Sequence, residues 1–396
     1  MSSKAAVRPV QIPAALARRL AVLAQGLGGP RFGKGKAGAL AALEHIGYVQ
    51  IDTIAVVERA HHHTFWARVP DYSPDHLHDL QAKDRKVFEY WSHAASYLPM
   101  RDFRYALPRM EAFAKGRRHW FRRDNRVHRY VLDRIKAEGP LRARDFEAPP
   151  GRRGGSWFEW KPAKSALEQL FWAGKLLVRE RRRFEKVFDL PERVLPPGVD
   201  ASTPTEEEFL RHLVLSALRA HGLAAAREIS YLRRIAPARL KNALACLAEA
   251  GEIIELAVEG ISGETYYALP GALDAAAAEP DGAARVLSPF DNLVIQRRRL
   301  ARLFSYDFQI EFYLPEAKRR YGYFSMPILR GTEFIARVDA KADRPAETLL
   351  VRNFHWETPA APKPSDEAAA LEAVNGFAAF NNCRKVLRLK KLARPR

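Results

Sequence analysis

Gln50, Ile51 and Asp52 place an amide and a carboxylate two residues apart within the stretch Tyr48-Val49-Gln50-Ile51-Asp52-Thr53. On a strand, successive side chains alternate, so Val49 and Ile51 turn toward the core while Gln50 and Asp52 share the opposite face. Side by side, the two polar groups can hold one water between them. Asp52, with an ordinary aspartate pKa of about 3.9, is ionised at pH 7. It can stabilise a developing cation and direct the water as a base, while the Gln50 amide orients it. Gln-x-Asp is a short pattern that a solvated strand face would also produce, and its place in the chain is what gives it weight.

Other constellations are weaker. His61, His62 and His63 lie near Glu58 and Asp52, but consecutive histidines diverge on any regular element and do not converge on one ion. No metal and no cofactor are expected, and helix packing or phosphate contact suits these histidines better. Gly26, Gly28, Gly29, Gly33 and Gly35 form a glycine-rich loop that lacks the Lys-Ser/Thr pair of a nucleotide-binding loop. The two cysteines, Cys246 and Cys383, are too few for a disulfide scaffold or a cysteine zinc site and favour a reducing compartment.

The elements that position Gln50 and Asp52 repeat along the chain. Residues 39–50 read ALAALEHIGYVQ, 166–177 read ALEQLFWAGKLL and 243–254 read ALACLAEAGEII. Aligned without gaps, they share Ala-Leu, a second Leu one turn later, a Gly four residues beyond it, and an apolar residue two after the Gly. This is a helix ended by a left-handed glycine and running straight into a strand. Around the third copy, EEEFLRHLVLSALRAHG (206–222) predicts one helix, AAAREISYLRRI (224–235) a second, and Pro237 opens a third. The strands EIIELAVEG and ETYYALP follow, with a turn at 261–263. Three helices and a two-stranded wing make a winged helix. Copy two repeats the order through VHRYVLDRIKAEG, LRARDFE, KPAKSALEQLFWAG, KLLVRERRR and RFEKVFDLP. Copy one is looser, with PAALARRLAVLAQGL, GKAGALAALEHIG and the strand YVQIDTIAVV. At the junction where copies two and three keep the apolar pairs Leu176-Leu177 and Ile253-Ile254, copy one carries Gln50 and then Asp52.

After GALDAAAAEPDG (271–282) the composition turns β-rich. YDFQIEFYLP (306–315), YGYFSMPILRG (321–331), EFIARVDAK (333–341) and TLLVRNFHW (348–356) read as an antiparallel meander, and 365–380 as a helix with Ser365 as N-cap. The expected fold is α+β: three tandem winged-helix units packed with a C-terminal antiparallel β-barrel or curved sheet. The expected domains are 9–120, 125–198, 203–270 and 283–396, the first carrying the Gln-x-Asp motif.

At 396 residues with 47% hydrophobic and 28% charged content, the chain is globular and large enough for several domains. Its formal net charge is +19, which points to a polyanionic partner. The cations cluster at 117–129 (RRHWFRRDNRVHR), 179–186 (RERRRFEK), Arg297–Arg299, Lys318–Arg320 and 384–396 (RKVLRLKKLARPR). Two runs interleave aromatics, Trp120 and Phe121 in one and Tyr321 and Tyr323 in the other. Several such runs favour a distributed phosphate-contacting surface. No apolar run reaches the roughly 18 residues of a membrane span, and the N-terminal stretch lacks a secretory h-region, so a cytoplasmic, nucleoid-associated protein is expected.

VQIDTIAVVERAHHHTFWARVPDY (49–72), LSPFDNLVIQRRRLARLFSYDFQIEFYLP (287–315) and EAKRRYGYFSMPIL (316–329) resemble the AlkZ/YcaQ family of bacterial DNA glycosylases, winged-helix proteins with a Gln-x-Gln or Gln-x-Asp motif. Gln50-Ile51-Asp52 is similar to the Gln-x-Asp branch. The resemblance implies that Gln50 and Asp52 are catalytic. It also implies that Lys318, Arg319, Arg320, Tyr321 and Tyr323 form a DNA-engaging hairpin, and that His62 contributes to lesion or DNA contact. The implied activity is that of a monofunctional, monomeric glycosylase on double-stranded DNA, releasing N7-alkylguanine and unhooking interstrand crosslinks of guanine. N7-alkylation makes the base cationic and already a good leaving group, so no general acid is needed. A carboxylate and a directed water suffice, as in glycoside hydrolysis. The alternative is a non-enzymatic winged-helix transcription regulator. Against it stand the triplication within one chain, where repressors usually dimerise on paired half-sites, and the Gln50–Asp52 face.

Overall fold

The helix Gly35–Ile46 ends where its sequence says it should. Gly47, at φ +80°, takes the left-handed conformation and its N–H bonds back to the Leu43 carbonyl at 2.8 Å. The equivalent glycines Gly174 and Gly251 sit at φ +67° and +72°, following the helices Lys161–Trp172 and Pro237–Glu249. In those copies the residue after the glycine reaches the same leucine carbonyl: Lys175 N bonds Leu170 O at 2.8 Å and Glu252 N bonds Leu247 O at 2.9 Å. A side chain other than glycine would be strained at these three positions. Two residues on, Val49, Leu176 and Ile253 are all buried, so the repeat plants one core residue at the start of each outgoing segment.

This computed structural model describes residues 8–116, 123–146, 161–357 and 361–388. Two compact units emerge: Pro74–Phe209, and the chain up to Ser73 together with Leu210 onward. In the Pro74–Phe209 unit, Asp124 caps the helix Asn125–Glu138 by accepting from the N–H groups of Arg126 and Val127. The strands Leu177–Arg182 and Glu185–Asp189 form an antiparallel pair extended by Leu141–Arg142. Val131, Ile135, Leu167, Leu170, Leu176 and Phe188 fill its core.

Of the third set of elements, Glu206–His221 is the first helix, and Pro237–Glu249 is the helix that carries the repeat. The expected middle helix is only Ala226–Ile229, because Leu223–Ala225 is a strand that pairs antiparallel with Tyr266–Ala268. That strand in turn pairs antiparallel with Ile254–Val258, to which Val10–Ile12 adds in parallel.

The C-terminal sheet runs in the order Ala284–Val286, Ser325–Arg330, Glu333–Asp343, Thr348–Trp356, Lys385–Arg388. All its pairings are antiparallel except the last. Register shifts at Ile328/Leu329 and Asp339/Ala340 bend it, as bulges do, into a curled half-barrel. The helix Pro364–Phe380 lays Ala370, Val374 and Phe377 on the sheet residues Val286, Met326, Val338 and Leu349. Its N-cap is Lys363 with Pro364 at the first helical position, so Ser365 lies inside the first turn and does not cap it.

Residues 306–315, where a strand was expected, form none among the described residues. Tyr306 and Phe308 point inward and Asp307 and Gln309 outward, but Tyr306 stacks on Phe334 at 4.3 Å and on Phe308 at 6.0 Å. The alternation is satisfied by side-chain packing without a ladder. No helix among the described residues is long and apolar enough to cross a membrane.

Candidate active site

The outgoing strand of the first repeat is only Val49–Gln50, shorter than the expected 48–57. Asp52 is the cause. Its Oδ1 accepts the Ile54 N–H at 2.8 Å, an Asx turn that competes with a strand ladder. Gln50 and Asp52 are therefore not two positions of one regular strand, and Ile51 is half-buried and not a core residue. Both polar side chains are half-buried. Burial raises the Asp52 pKa above the ordinary aspartate value, opposed by the N–H groups of Ile54 and Thr53. A carboxylate held by backbone donors and partly stripped of water is well placed to stabilise a cation.

Before the motif, the chain is fixed by residues that the sequence did not single out. The Asn292 side-chain amide donates to the Tyr48 carbonyl at 3.0 Å. Asn292 sits in a turn that Asp291 organises, its Oδ1 accepting the Leu293 N–H at 2.9 Å. Asp291 is also bound at both oxygens by Arg68, at 2.6 and 2.9 Å, and both side chains are fully buried. Arg68 spends its remaining donors on Gln25 and on the Thr64 carbonyl. A buried charged pair with this many partners is satisfied and rigid. The signal in the sequence was Asp-Asn inside the apolar stretch 286–295.

Beyond the motif, Ile54 and Val56 pack on the core of the C-terminal sheet. The Val56 carbonyl accepts from Ala342 N at 2.8 Å and the Glu58 N–H donates to Asn381 Oδ1 at 2.6 Å. The helix Ala60–Trp66 follows. Its histidines diverge: His63 Nε2 bonds the Val286 carbonyl at 2.9 Å and its ring lies 4.6 Å from Phe377. His62 Nδ1 bonds the Tyr72 hydroxyl at 2.8 Å, and buried His61 packs its ring 4.3 Å from His62. Burial lowers the pKa of His62 to about 3 and of His63 to about 4, so both are neutral at pH 7.

The segment 316–323 is a loop, opened by a short helical turn at Glu316–Lys318, where a hairpin was expected. Two buried carboxylates hold it. Glu311 Oε2 accepts from the N–H groups of Tyr321 and Gly322, and Asp339 from those of Tyr323 and Phe324. Gly322, at φ +123°, lies so close to the Asp339 carboxylate that a Cβ has no room there. Arg319 bonds the Leu314 carbonyl and lies over the Tyr323 ring. Lys318 and Arg320 are exposed. Tyr321 lies beneath Arg337, whose guanidinium carbon is 3.8 Å from the ring centroid, and Tyr323 packs on the same core as Ile54 and Val56.

Not all the basic runs are free for a polyanion. Arg299 is buried, pairing with Glu228 at 2.5 Å and with two backbone carbonyls. In 179–186, Arg181 pairs with Glu89 and Lys186 with Glu168. Residues 117–122, with Trp120 and Phe121, and 389–396 lie outside the described residues.

Two comparisons bear on this arrangement. The chain matches the solved structure of the Streptomyces sahachiroi DNA glycosylase AlkZ with a TM-score of 0.65 and 16% identity, over 96% of this chain and 100% of that one. At that identity the likeness concerns the fold. The family described as DNA glycosylase AlkZ-like matches residues 43–380, which hold Gln50, Asp52, the histidine helix and nearly all of the C-terminal sheet. This chain therefore belongs to the AlkZ-like DNA glycosylases.

Proposed function

We propose that this glycosylase hydrolyses the N-glycosidic bond of cationic N7-alkylguanine in double-stranded DNA and unhooks guanine interstrand crosslinks, acting as a monomer in the cytoplasm at the nucleoid. The observation that carries the reading is Asp52: a half-buried carboxylate, fixed by the Ile54 N–H, two residues from an amide. The alkylated base leaves with the electrons of the glycosidic bond, and its positive charge is neutralised as it goes. Asp52 stabilises the oxocarbenium-like sugar left behind and takes a proton from the attacking water, which Gln50 orients. No lysine attacks the sugar, so no strand cleavage accompanies base release. Lys318 and Arg320, exposed on a braced loop, contact backbone phosphates, with Tyr321 and Tyr323 shaping that loop. His62, neutral and bonded to Tyr72, serves the site through packing of the helix Ala60–Trp66.

Membership in a glycosylase family leaves the transcription-regulator reading without support. The test is a set of duplexes carrying N7-methylguanine, uracil, 8-oxoguanine or hypoxanthine, each incubated with the protein and then heated in alkali to reveal abasic sites. Release is expected from N7-methylguanine and not from the three neutral bases. Efficient release of a neutral base means that a proton donor assists the leaving group, and the reading is then wrong.

A further inference from the structure

Leu232 is anomalous on two independent measures. It is 68% exposed, and its φ is +51°. A bulky side chain in the left-handed region crowds the following carbonyl, and glycine or asparagine normally stands there. A leucine normally gains by burial. The fold benefits from neither feature, and strain of this kind gathers at sites of function.

The turn that presents Leu232 is firmly built. Ser230 bonds the Ala226 carbonyl through its N–H and its hydroxyl, and the Arg233 N–H closes onto the Ser230 carbonyl at 2.8 Å. Tyr231 points inward, its hydroxyl donating to the Ile295 carbonyl at 3.2 Å, and packs on the core that also takes Ile54 and Val56. Tyr231 and Arg233, the two neighbours of Leu232, both act electrostatically on Tyr48, two residues before Gln50. Arg234, next along, is exposed. The turn that bears Leu232 is thus tied through Tyr231 to Ile295, three residues from the Asn292 that holds the Tyr48 carbonyl, with Arg234 beside the apolar tip.

We propose that Leu232 is a wedge that enters the base stack next to the damaged nucleotide and holds the step open while the base faces Gln50 and Asp52. The proposal rests on the assignment of those two residues as the active site. The occupant is duplex DNA. Leucine is among the side chains that architectural proteins drive between base pairs, the chain carries a net charge of +19, and Arg234 offers a phosphate contact beside the wedge. Unstacking a base must precede chemistry upon it.

The test uses the full chain and a duplex with 2-aminopurine next to N7-methylguanine, read by fluorescence for unstacking and by single-turnover excision. Leu232→Asn suits the left-handed backbone and removes the apolar tip, so its unfolding temperature should equal or exceed that of the wild type. Its excision should fall at least tenfold and its fluorescence rise should disappear, while Leu232→Met retains both. Wild-type excision with a full rise in Leu232→Asn overturns the wedge. So does lost excision with the rise intact, or the absence of any rise in the wild type. Asp52→Asn separates the two readings, since it should keep the rise while its excision falls about 10²-fold or more. A wild type that shows a Leu232-dependent rise but releases no N7-methylguanine supports the wedge and removes the proposed substrate.

Discussion

The Asn292 side-chain amide donates to the Tyr48 carbonyl across 244 positions of sequence, at 3.0 Å. It fixes the backbone two residues before Gln50 from a turn that is itself clamped by the Arg68–Asp291 pair. The placement of the motif therefore depends on the C-terminal half of the chain.

Asn292→Ala leaves the Tyr48 carbonyl without this donor. We expect a loss of about 1–3 kcal/mol in unfolding free energy and a fall in single-turnover excision of roughly ten- to a hundredfold, because small displacements of reacting groups are costly. DNA binding should be unchanged. Denaturant unfolding and a binding titration on the same preparation check both halves, and unaltered excision would show that the bond does not position the motif.

Arg68→Met leaves Asp291 buried and unpaired, which should destabilise the protein by about 3–5 kcal/mol. Adding Asp291→Asn should recover part of that loss by removing the orphaned charge. Urea unfolding of the single and double variants measures it, and an equal effect in both would mean that the charge is not the cause.

Because burial raises the Asp52 pKa, excision should fall on the acid side at a pH above the ordinary aspartate range, with no alkaline limb from a catalytic acid. The sign for stability is opposite to that of a paired carboxylate. The folded state binds the Asp52 proton more tightly than the unfolded state, so this group's contribution to stability falls as pH rises through that window. Asp52→Asn should accordingly unfold at the same temperature as the wild type or higher at pH 7, its side-chain oxygen still accepting the Ile54 N–H. A pH–rate profile and parallel thermal unfolding of the two proteins check this.

Lys318→Ala together with Arg320→Ala should weaken binding to damaged and undamaged duplexes alike. The slope of log affinity against log salt should fall by about 2, one for each phosphate that is no longer neutralised. Excision at saturating protein should be retained. A salt titration decides it, and an unchanged slope would remove these residues from the DNA surface.

Local rules carried far in the sequence. Gly47, Gly174 and Gly251 were legible as helix stops because only glycine meets the left-handed backbone there without strain, and the strand Thr348–Trp356 falls where its β-branched and aromatic run lies. What local pattern could not supply was partnership. Tyr306 and Phe308 alternate like a strand, yet aromatic stacking on Phe334 takes the place of a ladder. Ala224 and Ala225 read as the start of a helix until Tyr267 and Tyr266 pair with them, and Val10–Ile12 finds its partner in the distant strand Ile254–Val258. At the candidate site, Gln50 and Asp52 stand out in the sequence because the sister copies are apolar there. The Asx turn that ends the strand at Asp52, the hold of Asn292 on Tyr48 and the burial of Arg299 all depend on tertiary contacts that spacing does not encode. Nor does spacing show that Leu232 is exposed.

The most direct measurement is single-turnover release of N7-methylguanine by Asp52→Asn against the wild type, with duplex affinity measured on the same samples. Removing a main electrostatic stabiliser should lower the rate by about 10²-fold or more, while affinity, set by the Arg and Lys surface, stays nearly intact. Excision by Asp52→Asn at the wild-type rate would contradict the assignment of Asp52 as the catalytic carboxylate.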